Sequence, residues 1–190
     1  MRSLMLGPEL LPLVILGAAA VAFLVAAPAM RRGQSARAGR RASLVLLVGA
    51  MLAVFAVTLP AGPIPDELAT ERSLNLAPGV EITRFLSLTD RNVGLLNVIG
   101  NIAMFAPIGF LAVLGLRTGV VSATLLGFVF SGLVESVQYA LGRVADVDDI
   151  LLNTTGALLG AVTAVIVRWI ATFRRRRQRR RSRPMVPSGR

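Results

Sequence analysis

The chain contains no cysteine, no histidine and no lysine among its 190 residues. Without cysteine there are no disulfides, thiolate nucleophiles or cysteine metal sites. Without histidine there is no Ser-His or Cys-His catalysis, and the commonest transition-metal ligand is missing. Aromatics make up 5% of the chain and acidic residues number 10. Any chemistry must therefore come from carboxylates, arginine, amides and hydroxyls. Any metal would be a hard cation held by oxygen, such as Mg²⁺ or Ca²⁺. All 21 basic residues are arginine, and alanine, glycine and valine abound, a codon-level pointer to a high-GC bacterial genome.

What the chain does have is long apolar runs. It is 54% hydrophobic with a mean hydropathy of +0.68. That composition predicts an all-α, polytopic transmembrane helix bundle of about five spans. The runs cover residues 10–29, 42–59, 93–116, 120–141 and 150–173. Ala27-Pro28-Ala29 resembles a cleavage site, but the run is long for a signal peptide and Arg31 and Arg32 follow at once, so it reads as a retained span. Residues 1–59 form two N-terminal spans joined by a basic loop, and 60–92 form an extracytoplasmic loop. Residues 93–173 form a core of three spans, and 174–190 a basic, disordered tail.

Arginine placement sets the orientation through the positive-inside rule. The 31–41 loop carries five arginines and no acid, and the tail carries an arginine run from Arg174. Both belong in the cytoplasm. The 60–92 loop is slightly acidic and belongs outside, as a surface-lying lid or a loose ectodomain loop. The N-terminus is then outside and the C-terminus inside, in the cytoplasmic (plasma) membrane. The tail is expected to attract anionic lipids rather than nucleic acid.

Against this apolar background the polar residues of the last three spans stand out, because polar groups inside a bilayer are expensive and by default functional. Asn97 and Asn101 are four apart on one helix face, as are Asp149 and Asn153. Glu135 lies about 9 Å below the outer end of its span at the helical rise, with Gln138 one turn on. Arg143, Asp146 and Asp148 lie in the following turn. Topology puts all of these on the extracytoplasmic side. Bland roles remain open: Glu135 pairing with Arg143, Asp149 capping the fifth helix, Asp148 simply solvated. Gly156-x-x-x-Gly160 reads as a tight helix-packing motif, and Pro107 is expected to kink the third span.

The segments Asn97–Phe110, Ser131–Gln138 and Arg143–Gly156 resemble, in order and spacing, the three signatures of the VanZ-like family. Asn75-Leu76-Ala77-Pro78 resembles its outer-loop element, with Gly79 where an aromatic is usual. The resemblance implies a bacterial integral membrane protein. The family's namesake is associated with low-level resistance to teicoplanin, and no cofactor is implied.

Two functions follow as expectations. One is an outer-leaflet site that binds or acts on a lipid-linked wall precursor, a lipid headgroup or a glycopeptide. There Glu135, Arg143 and Asp146 would carry any catalysis, and Asn97, Asn101, Gln138, Asp149 and Asn153 would orient the ligand. Asp146 and Asp149 would hold a divalent cation, if one binds. The other is a non-catalytic membrane scaffold whose polar residues fix helix packing.

Overall fold

The computed structural model describes residues 36–58, 74–79, 83 and 91–181. Four long helices dominate: α1 (Ala36–Thr58), α2 (Arg91–Gly115), α3 (Val120–Ala140) and α4 (Val147–Arg181). Two short strands, β1 (Leu74–Asn75) and β2 (Ala145–Asp146), complete the order α1-β1-α2-α3-β2-α4. Each helix is long and apolar enough to cross a membrane. The candidate span at 10–29 and most of the 60–92 loop lie outside the described residues.

Helices are the natural state for these runs, because hydrocarbon offers the backbone no hydrogen-bond partner and a helix satisfies it internally. The hydroxyls follow the same logic. Thr58, Thr124, Ser136, Thr154 and Thr163 each donate to the carbonyl four residues back, at 2.6–2.9 Å. Val45, Leu52, Val121, Leu125, Phe128, Leu159 and Ile166 point outward and are exposed, as side chains facing lipid should be.

The core runs along α2, where Phe105, Ile108, Leu111 and Val113 are fully buried. Leu47 and Val54 of α1 and Phe130 and Val134 of α3 close on it. Phe130 meets Phe55 edge-on, with ring centroids 5.2 Å apart.

Glycine sets the distance between α2 and α4. A Cβ added at Gly156 would overlap the Ile102 carbonyl, and one at Gly160 the Ala106 carbonyl. From the other side, a Cβ at Gly109 would overlap the Ala157 carbonyl. The Gly156/Gly160 pair therefore brings two backbones together, the use expected of such a motif.

Pro107 sits inside α2 without ending it. Lacking an N–H, it leaves the Ala103 carbonyl without its usual helical donor. At the other end of α2, Arg40 of α1 donates Nε to the Gly115 carbonyl at 3.1 Å. A cation there also suits the negative end of the helix dipole.

α4 starts three residues before the expected span and continues helical to Arg181, through the first eight residues of the segment read as a disordered tail. Arginine is a good helix former, and cations near a helix C-terminus are favourable, so the run extends the helix. Trp169 stacks on Phe173 with centroids 6.0 Å apart, just before the arginines. An aromatic pair followed by cations is the usual marking of a membrane–water boundary.

Candidate functional site

The site is built around the turn between α3 and α4. The last turn of α3 ends with Gly142 at φ +87, where a side chain would be strained. The Arg143 amide donates to the Gln138 carbonyl and the Gly142 amide to the Tyr139 carbonyl, both at 3.0 Å. This pair of bonds reverses the chain and delivers β2 across the end of α3. The Asp146 amide then donates to Oε2 of Glu135 at 3.1 Å. Glu135, buried at 5% exposure, is thereby tied to the start of α4.

Asp146, rather than Asp149, caps α4. Its Oδ1 accepts the Asp148 amide at 2.8 Å, the bond an N-cap side chain makes to the first helical turn. Asp148 and Asp149 occupy that first turn, where the helix dipole favours negative charge.

The segment 74–79 folds over this end. β1 pairs with β2 in parallel, Leu74 opposite Ala145 and Asn75 opposite Asp146. Asn75 donates its side-chain amide to Oδ2 of Asp146 at 3.1 Å. The Gly79 amide donates to Oδ1 of Asp148 at 2.6 Å. Gly79 has φ +84, so glycine suits this position on backbone grounds. Asp148 is not solvated as expected; it is 1% exposed.

α2 enters through Asn101, whose amide donates to Oδ1 of Asp149 at 2.7 Å. One turn deeper, Asn153 of α4 donates to Oγ of Ser131 on α3 at 2.9 Å, a bond buried between the helices. Oδ1 of Asn153 has no hydrogen-bond partner among the described residues.

Arg143 does not pair with Glu135. Its guanidinium donates to the Thr58 carbonyl at 2.8 Å, and Gln138 donates to the same oxygen at 3.1 Å. These two bonds fasten the end of α1 to the site, with Arg143 itself exposed at the rim. The guanidinium remains within electrostatic reach of both Glu135 and Asp149.

The expected residues thus divide. Asn101, Glu135, Asp149 and Asn153, on three helices, and Asp146 of β2 come together at one end of the bundle. Gln138 and Arg143 border them. Asn97 is exposed and stands apart from the network. Asp148, Gly79, Ser131 and the Thr58 carbonyl join it unforeseen. No three acidic side chains among the described residues are grouped to hold a metal ion. Chemically, the assembly offers carboxylate oxygens and amide groups in an apolar setting, with the Arg143 guanidinium beside them.

A family model described as VanZ/LLP1 matches residues 14–168. No curated protein and no solved structure matches the chain.

Proposed function

The chain belongs to the VanZ/LLP1 family, and from that premise we propose that its polar assembly is an outer-leaflet site that binds or acts on a cell-envelope molecule. The candidate ligands are a lipid-linked wall precursor, a lipid headgroup or a glycopeptide antibiotic, with a role in antibiotic resistance as the physiological outcome. The host membrane is the bacterial cytoplasmic membrane. The arginines at 31–41 and along the end of α4 support an orientation with the α3–α4 turn outside, and they would attract anionic lipids on the inner face.

One observation carries the reading. Glu135 and Asp149 come from different helices to one end of the bundle, and each uses only one carboxylate oxygen in a protein hydrogen bond among the described residues. Their other oxygens are not sealed in the interior, so they remain open to a ligand.

The test is expression of the full chain in a teicoplanin-susceptible bacterium, with envelope lipids co-purifying with the protein quantified in parallel. The wild type should retain a lipid or shift susceptibility, and Glu135→Gln and Asp149→Asn should abolish both at unchanged protein levels.

A second reading, a non-catalytic scaffold, is favoured by the Asn153–Ser131 bond and by the double tether on Thr58. It expects the same substitutions to lower the yield of folded protein, with no ligand retained by the wild type.

A further inference from the structure

We infer that the site between Glu135 and Asp149 takes a ligand carrying a primary ammonium group. The inference rests on the binding reading above and names its ligand chemistry. Among the described residues four carboxylates lie at this end of the bundle, each with a protein donor; Asp146 accepts on both oxygens, from the Asp148 amide and Asn75, and Asp148 accepts from the Gly79 amide and has a further interaction. Glu135 and Asp149 are half-used. Oε2 of Glu135 and Oδ1 of Asp149 are bonded, and Oε1 and Oδ2 meet no donor among the described residues.

A second observation is independent of the acids. Asn153 is 4% exposed, and its Oδ1 is buried without a partner among the described residues. Asn153 lies one turn below Asp149 on α4, and its partner Ser131 lies one turn below Glu135 on α3. Helical side chains lean toward the N-terminus of their own helix. α4 begins at the site, so Asn153 leans up toward the carboxylates. α3 ends there, so Glu135 leans down toward Asn153. The unpartnered carbonyl thereby leans toward the end of the bundle that carries the two acids.

The result is three acceptor oxygens at this end of the bundle, two of them on carboxylates, with no donor among the described residues. A phosphate or carboxylate ligand would meet only repulsion there. A divalent cation wants about six to eight oxygens, and no three described acids are grouped for one. A primary ammonium has three N–H donors and one positive charge, matching three acceptors in number and sign. Its source is a phosphoethanolamine headgroup, or the amine of a wall peptide. With the former, the exposed Arg143, within electrostatic reach of both acids, would meet the phosphate.

The full chain, purified in detergent micelles, is titrated with dioctanoyl phosphatidylethanolamine, the corresponding choline and glycerol lipids, lysine amide, and MgCl₂ alone. Thermal stabilisation and native mass spectrometry report binding. Choline is the decisive control, since it keeps the charge and has no N–H. Binding of the ethanolamine lipid or lysine amide, at least about tenfold tighter than the choline lipid, is expected. The ethanolamine lipid alone marks a lipid ligand, and lysine amide alone a peptide amine. Glu135→Gln and Asp149→Asn should each weaken that binding about tenfold, the loss of a charged hydrogen bond. Asn153→Leu should do so as well; if it fails to fold, the other two variants decide. Equal binding of choline and ethanolamine lipids, stabilisation by MgCl₂ alone that Glu135→Gln abolishes, or amine binding untouched by Glu135→Gln and Asp149→Asn would overturn the inference. Glycerol-lipid binding lost in Glu135→Gln, with no amine bound, would overturn it and leave the envelope-site reading standing. No binding of any probe overturns the inference, while the envelope-site reading is decided by the co-purification and susceptibility test above.

Discussion

Asn101 of α2 donates to Asp149 of α4 at 2.7 Å, joining residues 48 positions apart in sequence. The bond links the start of α4 to the middle of α2, and it orients one of the two half-used carboxylates. Asn101→Ala should therefore destabilise the protein by about 1 kcal/mol, the scale of interhelical polar contacts in membranes. The Asn101→Ala/Asp149→Ala double variant should cost less than the sum of the singles, because the second substitution removes a partner already lost. Reversible unfolding in mixed micelles measures this. Strict additivity would show that the two residues do not act on each other.

The glycines along the α2–α4 seam should tolerate nothing larger. Gly160→Leu forces a side chain into the Ala106 carbonyl, and Gly156→Leu one into the Ile102 carbonyl. Overpacking of this kind costs about 3 kcal/mol or more where backbone is the obstacle. Gly132, on the opposite flank of α3, has nothing within 4 Å of an added Cβ. Gly132→Ala should stabilise the helix by about 0.5–1 kcal/mol. Folded yield by size-exclusion chromatography and the unfolding midpoint separate the two outcomes.

The 74–79 segment is held by a few bonds and one backbone shape. Gly79→Ala places a side chain at φ +84, which costs about 1–2 kcal/mol, and should loosen the bond to Asp148. Asn75→Ala removes the donor to Asp146. Hydrogen exchange should quicken at 74–79 in both variants and stay unchanged across α2. Exchange as slow as in the wild type would mean that the segment is held by something other than these contacts.

Because the chain has no cysteine, single cysteines report orientation without background. Val144→Cys, exposed in the α3–α4 turn, should react with a membrane-impermeant maleimide added to whole cells or spheroplasts. Thr118→Cys, between α2 and α3, should react only after permeabilisation. The reverse pattern would put the site on the cytoplasmic side and remove the case for an envelope ligand.

The helices and much of the site are legible in the sequence for physical reasons. Bilayer spans need long apolar runs, and polar residues four apart must share a helix face, so spacing alone groups Asp149 with Asn153. The Gly156/Gly160 spacing likewise announces close packing. Burial of Asp148 is not legible, because it depends on a segment 69 residues earlier folding back onto it. Nor are the bonds of Arg143 and Gln138 to Thr58, because a backbone carbonyl leaves no mark in side-chain identity. The capping role given to Asp149 belongs to Asp146, since the turn on Gly142 is tight enough to start α4 three residues early.

The most direct test of an envelope ligand between Glu135 and Asp149 is a cryo-electron-microscopy structure of the full chain in nanodiscs of native bacterial lipid, made tractable by a bound antibody fragment on the cytoplasmic side. Headgroup density should lie within hydrogen-bonding distance of Oε1 of Glu135 and Oδ2 of Asp149. Both oxygens bonded to protein groups or water, with no ligand density between α3 and α4, would contradict an envelope ligand at this site.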